Sequence, residues 1–270
     1  MKGKRFSTVK KITGMVLVFM FCITFILPVA TWADESPPPP ASQISIYSTY
    51  GGNYTAVMGN PAVLVESGSE ASARNIIFPA LKKEGYAPKT LAISHFHKNQ
   101  AEGAEFLHKR ERFSLIIAPP SNSPGAKKYP FLHGKSPTLY RGMQWVDKNG
   151  NTLTLLDCPD SYSPPSKSAD DNVLVFLWEQ SGQRVLFLSD AGYKTEQRLR
   201  LHYPSLQADI VVVGVNISDL PISDEYISSL KPKLVVLANR KLRSSNGITC
   251  DYHSLKEQGF LKINIGDPGN

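Results

Sequence analysis

Between residues 44 and 118 the chain passes through three short strands, a helix, a strand, a second helix and a further strand, an order that few layered architectures accommodate. Residues 44–47, 54–58 and 62–66 are rich in apolar side chains and are set apart by Gly51-Gly52-Asn53 and Gly59-Asn60-Pro61, so each reads as a strand. Over 71–84, Ile76, Ile77, Ala80 and Leu81 fall at helical spacing and Gly85 stands where the helix should stop, while Pro79 inside it predicts a kink or a late start. Residues 91–94 read as a buried strand, 101–109 as a helix and 114–118 as another buried strand. Pro, Gly, Ser and Lys dominate 119–137, which predicts an irregular surface loop able to overhang the end of the 91–94 strand.

A second strand-rich block follows at 138–145, 152–156, 173–178 and 185–188, bounded by turns such as Asn149-Gly150 and Ser181-Gly182. Helix and strand then alternate: 193–201, 224–230 and 254–258 read as helices, 209–214, 234–238 and 261–265 as strands. Blocks of mainly antiparallel strands with helices after each half predict an α/β fold, an αββα sandwich of two mixed sheets with helices outside. An apolar fraction of 41% over 270 residues is enough for such a core.

The amino terminus carries Lys2, Lys4, Arg5, Lys10 and Lys11 ahead of an apolar run at 15–27, broken by Thr24 and closed by Pro28. That is the layout of a secretory signal, with Thr31 and Ala33 as a small-residue cleavage site, and an uncleaved membrane anchor is the alternative. Residues 1–33 are therefore expected to direct the chain out of the cytoplasm, either secreted or tethered. Residues 34–42, with Pro37 to Pro40, form a stiff linker, and 43–270 the folded domain. Five of the 30 basic residues lie in the leader and all 23 acidic ones after it, which leaves 25 against 23, a net of +2. A nearly neutral domain lacks the global basic field of a dedicated nucleic-acid binder. Cys22 sits in the apolar run, so Cys158 and Cys250 are the remaining thiols, and the sequence leaves open whether they pair.

The apolar segment at 90–93 discharges into Ser94-His95-Phe96-His97-Lys98-Asn99-Gln100. Two histidines two apart on an extended turn face one side and can share a cation, and imidazole suits zinc, copper, iron or nickel. Asn99 and Gln100 are neutral amides, weak ligands for such metals and unable to act as general bases. No phosphate-cradling Gly-rich loop, dinucleotide fingerprint or serine nucleophile elbow occurs, so no nucleotide cofactor is expected.

The order of motifs resembles the metallo-β-lactamase superfamily and, within it, the carboxy-terminal extracytoplasmic domain of ComEC-type DNA-uptake proteins, over about residues 43–266. The resemblance rests on Tyr50-Gly51-Gly52-Asn53, on Val63-Leu64-Val65-Glu66-Ser67-Gly68 and on the 91–97 strand and histidine loop. It continues through the hairpin of 171–177 and 184–191, with Ser189-Asp190 at its end, and the strand 208–214. It implies that His95, His97 and Asp190 stand at metal-ligand positions. It also implies that Asn99 and Gln100 replace an acid and an imidazole, that Glu66 and Asn53 replace two aspartates, and that Asn216, within Val215-Asn216-Ile217-Ser218, stands where a second histidine cluster belongs. A second ion site is therefore expected to be dismantled. The set of two histidines and a carboxylate remains adequate for one divalent metal such as zinc, with His253 the better extra candidate and His133 the other. The competing expectation is no metal at all, with His95 and His97 hydrogen-bonding in an inherited pocket and Asp190 capping the helix near 193.

Three functional expectations follow. One is an exported non-catalytic or accessory module with a decayed dinuclear centre. Another is a single-metal hydrolase acting on a phosphodiester such as DNA, working beside a membrane channel protein as the family resemblance implies. The third is an unrelated exported binding protein, which a strand order incompatible with two facing mixed sheets would reveal. Convergence of His95, His97 and Asp190 within ligand distance separates the second from the first.

Overall fold

The computed structural model describes residues 43–158, 170–214, 220–238 and 250–265. The leader, the Pro-rich linker and Asn216 lie outside the described residues. The first sheet contains β1 (Gln43–Thr49), β2 (Asn53–Met58), β3 (Val63–Val65), β4 (Thr90–Ala92) and β5 (Leu115–Ile117), closed at its other edge by β13 (Phe260–Asn264), in the order β13-β1-β2-β3-β4-β5. The second contains β6 (Gln144–Val146), β7 (Thr152–Asp157), β8 (Val175–Gln180), β9 (Gln183–Ser189), β10 (Ile210–Val213), β11 (Leu234–Leu237) and β12 (Asp251–Ser254), in the order β12-β11-β10-β9-β8-β7-β6. Both sheets are mixed. β3, β4 and β5 pair in parallel after antiparallel hairpins, as do β9, β10, β11 and β12.

Strand parity builds the layers, because successive side chains leave opposite faces. Ile44 and Ile46 of β1, Phe176 and Trp178 of β8, Val185 and Phe187 of β9 and Val212 of β10 meet in one buried cluster between the sheets. The alternate residues face outward under helices. Val57, Leu64, Leu91 and Ile93 pack with Ile77, Leu81 and Leu107, and Leu186, Leu188, Val211 and Val235 pack with Leu199 and Ile227. The helices responsible are α1 (residues 70–83), α2 (Lys98–Ala101) and α3 (Ala104–Glu111) on the first sheet, and α4 (Tyr193–His202) and α5 (Asp224–Ser229) on the second. A short α6 (Leu255–Gln258) links the two sheets at β12 and β13. Among the described residues no helix is long and apolar enough to cross a membrane.

Several boundaries differ from the sequence reading for identifiable reasons. Helix α1 is α-helical at Glu70–Ser72 and Phe78–Lys83, with a π turn at Ala73–Ile77 between. The Phe78 N–H reaches five residues back to the Ala73 carbonyl, and the widened turn lets Pro79, which has no N–H to give, continue the helix. The expected helix at 101–109 is two, α2 and α3, divided at Gly103. The strand expected at 138–145 shrinks to the edge strand β6. Residues 251–254 carry no apolar alternation, yet they form β12 by parallel pairing with β11. The 119–137 loop holds two 3-10 turns, Ala126–Lys128 and Pro130–Leu132, and Tyr129 stacks on Phe96 of the histidine loop.

Gly103 lies where backbone meets backbone. A Cβ there would stand 2.4 Å from the Ser67 carbonyl oxygen and 2.6 Å from the Ala73 Cβ, while its N–H bonds the Gly68 carbonyl at 2.9 Å. Gly103→Ala is expected to destabilise the fold by about 1–3 kcal/mol through overpacking, read as a lowered urea midpoint with unchanged slope.

Candidate metal centre

Three chain segments deliver four ligand-type side chains to the ends of β4 and β9. After β4 the Ile93 N–H still bonds the Ile117 carbonyl at 2.8 Å, and the chain then bends at His95 and Phe96, with the His95 and His97 rings against each other. Their Nε2 and Nδ1 atoms lie 2.9 Å apart. Asp190 follows β9 directly, beyond Ser189, whose φ is +48°; its Oδ2 stands 3.4 Å from His95 Nε2. The N-cap position of α4 falls at Gly192, with no side-chain cap, so Asp190 is turned to the histidines rather than spent on the helix.

The fourth group, Asp170, was not anticipated. It opens a 3-10 turn, Asp170–Asn172, just ahead of β8, and the Leu174 N–H anchors that segment to the Ser94 carbonyl at 2.8 Å. Asp170 Oδ1 lies 3.4 Å from His97 Nδ1 and 3.8 Å from His95 Nε2. The ligand atoms of His95, His97, Asp170 and Asp190 all fall within 4.8 Å of one another. A signal was present in the sequence: Asp170-Asp171-Asn172 heads a buried apolar run, as Asp190 closes one.

Burial shapes the charges. It pushes the Asp170 carboxyl up to about 6, although the positive charge of His95 pulls the other way. For His95 burial disfavours the cation, but Asp190, Glu66 and Asp170 outweigh it and hold the imidazole above its ordinary value. His97, half-buried beside His95, is lowered by burial and by that neighbour's charge.

The amides have a structural use. Gln100 donates from Nε2 to Asp190 Oδ2 at 2.9 Å and Asn53 from Nδ2 to Asp190 Oδ1 at 3.3 Å, so both carboxylate oxygens accept a neutral donor. Asn99 turns away to the glycine turn, where a Cβ on Gly51 would meet its Nδ2 at 2.3 Å. His253 is a correction: it sits on the edge strand β12, three strands from β9, and is not in the cluster. Parallel pairing with β11 fixes it there, a placement its sequence neighbours do not show. His133 is held in its own loop, Nε2 to the Ala126 carbonyl at 2.8 Å. Cys158 is buried and Cys250 half-buried, and no disulfide joins the two.

These residues fit a divalent ion. Two imidazoles and two carboxylates converge, a donor set suited to zinc. Asp170 Oδ1 is buried with no hydrogen-bond partner, and Gln100 Oε1, on the amide that holds Asp190, is another buried acceptor without a donor. Buried acceptors left in this way are costly unless a cation or donor meets them.

Comparison with solved structures identifies the fold. The chain superposes on YhfI, a metallo-β-lactamase fold protein from Bacillus subtilis, with a TM-score of 0.56 at 11% identity, covering 82% of this chain and 100% of that one. The chain has the metallo-β-lactamase fold. A metallo hydrolase from the archaeon Ignicoccus hospitalis shares the fold with a TM-score of 0.51 at 10% identity, covering 83% of this chain and 99% of that one. In sequence, the chain is 23% identical to ComE operon protein 3 of Bacillus subtilis over 174 residues, 62% of this chain and 22% of the relative. The chain thus spans about a fifth of that relative's length. No family model matches. Within this metallo-β-lactamase fold, His95, His97 and Asp190 come together as the sequence indicates, and Asp170 joins them.

Proposed function

We propose that this protein is an extracytoplasmic single-metal hydrolase of the metallo-β-lactamase fold, acting on a phosphodiester, with DNA the first substrate to test. One observation carries the reading: Asp170 Oδ1, buried and without a hydrogen-bond partner among the described residues, faces His97 and His95 in a cluster that also holds Asp190. A divalent ion held there would supply Lewis acidity toward water and a phosphoryl oxygen. His95, His97, Asp170 and Asp190 would hold it, while Asn53 and Gln100 fix the Asp190 carboxylate. Lys128 acts electrostatically on His97 and Lys98 follows it in the chain, cations that suit an anionic ester. The basic and apolar leader supports export, with 43–270 as the working domain, and the resemblance to ComEC-type uptake proteins suggests work beside a membrane channel protein.

A second reading, an accessory module that binds without turnover, is favoured by the amides. Asn53 and Gln100 already occupy one acceptor site on each Asp190 oxygen, and neither Asn99 nor Gln100 can hold a second ion or orient water by charge. Elemental analysis of protein purified without chelators, beside a His95→Ala/His97→Ala double variant, separates the cases. One equivalent of metal, lost in the variant and accompanied by hydrolysis of bis-p-nitrophenyl phosphate, is expected. Stoichiometric metal without hydrolysis would leave the accessory module. No metal after loading with zinc, manganese and iron would sink the single-ion site.

A further inference from the structure

We propose that Glu66 is a positioning residue that sets the tautomer of His95 through a two-serine hydrogen-bond chain, keeping the proton on Nδ1 and the Nε2 lone pair in the ion pocket. The inference rests on the single-metal reading for its purpose but is read out on metal-free protein. Glu66 follows β3 of one sheet and Ser189 ends β9 of the other, and both take left-handed backbone conformations, φ +64° and +48°, that non-glycine residues disfavour. Both side chains are thereby turned inward, Glu66 fully buried and Ser189 nearly so.

Four contacts form a line. Glu66 Oε2 accepts from the Ser94 N–H at 3.2 Å, and Glu66 Oε1 accepts from Ser189 Oγ at 3.0 Å. Ser189 Oγ and Ser94 Oγ lie 2.8 Å apart, and Ser94 Oγ and His95 Nδ1 lie 2.8 Å apart. A carboxylate only accepts, which gives the line a direction. Ser189 must give its hydroxyl proton to Glu66, so it accepts from the Ser94 hydroxyl. Ser94, its proton spent, accepts from His95 Nδ1–H. The nitrogen left bare is Nε2, which faces His97, Asp190 and Asp170. Orientation of a ligating imidazole through its other nitrogen is the general means by which surrounding groups tune a metal.

Glu66→Gln tests the direction with little change of shape. The Ser94 N–H demands the amide oxygen, so the amide NH2 must face Ser189, and every donor in the line reverses until Ser94 donates to His95 Nδ1. Imidazole 15N NMR of metal-free protein, read on the alkaline plateau of the imidazole titration curves, is expected to show His95 as the Nδ1–H tautomer in the parent and the Nε2–H tautomer in Glu66→Gln. Zinc affinity should fall about 10–100-fold in the variant. Ser189→Ala, which cuts the line and leaves the Glu66 charge in place, is expected to give a mixture of tautomers and serves if Glu66→Gln does not fold. An unchanged Nδ1–H signal in either folded variant would overturn the proposal. A parent protein that shows these tautomers but binds no zinc would overturn the metal reading alone.

Discussion

Asp170→Asn is expected to cost about a thousandfold in zinc affinity while leaving the metal-free protein as stable as the parent or more so. The loss exceeds the 10–100-fold typical of a group that only supports a ligand, because Asp170 supplies one of four converging ligand atoms and a full negative charge. The gain follows from burial. Asp170 has its carboxyl pushed up to about 6 in the fold against about 3.9 in an unfolded chain. A raised acid means that the folded state holds its proton longer, so stability declines as pH rises from about 4 to 6 and is lowest above that window. Asparagine removes the ionisation and with it of order 1–2 kcal/mol of penalty at pH 7. Urea unfolding in EDTA between pH 4 and 8, with zinc titrations at pH 7, checks both halves. Equal zinc affinities in parent and variant would remove Asp170 from the site.

What the sequence made legible is what depends on neighbours in the chain. The apolar runs at 91–94, 185–188 and 209–214 are strands because they are buried on both faces, and burial on both faces leaves an uninterrupted apolar signal. His95 and His97 are legible as a pair from their spacing, although a bend at His95 and Phe96, not an extended run, accompanies the contact of their rings. Asp190 is legible from the apolar run that it closes. The rest comes from chain segments meeting at a distance. Asp170 reaches the histidines only because the entry to β8 crosses the exit of β4, where the Leu174 N–H bonds the Ser94 carbonyl, a contact with no trace in either segment. The residues of β12 are polar and become a strand only by joining β11, which carries His253 away from the centre. Asn53 and Gln100 read in sequence as lost ligands; in the fold they are donors that hold the Asp190 carboxylate. Substitution of a ligand by an amide removes an ion and supplies a hydrogen bond, and the second half of that exchange needs coordinates to be seen.

Asp157→Ala is expected to be the most destabilising single change in the second sheet, about 3–5 kcal/mol, with a loss of metal affinity as its second effect. Asp157 ends β7 at a register shift against β8 and is fully buried. Arg198 of α4 donates from Nε to its Oδ2 at 2.8 Å, with a second guanidinium nitrogen at 2.6 Å, and Arg141 reaches its Oδ1 at 3.4 Å. Burial raises the Asp157 carboxyl although both arginines pull it down, so these two guanidiniums favour the charged carboxylate. Alanine removes it and takes the buried counter-charge from two guanidiniums whose side chains are only 23% and 28% exposed. The break also propagates. Arg198 holds the Asp171 carbonyl at 3.2 Å, and Lys194, one turn earlier on α4, pairs with the Asp171 carboxylate at 2.7 Å. Those two bonds fix the turn that aims Asp170 at the histidines, and an Arg198 freed from Asp157 no longer has a set position from which to hold it. Urea unfolding in EDTA should show the stability loss. Zinc titration of the surviving folded fraction at low temperature should show an affinity about tenfold weaker. Lys194→Met, which touches Asp171 and not the buried pair, is expected to weaken zinc by a smaller factor with a stability change within about 0.5 kcal/mol. A stability loss below about 1 kcal/mol in Asp157→Ala would mean that the arginines find water or other acceptors, and that α4 does not brace the centre.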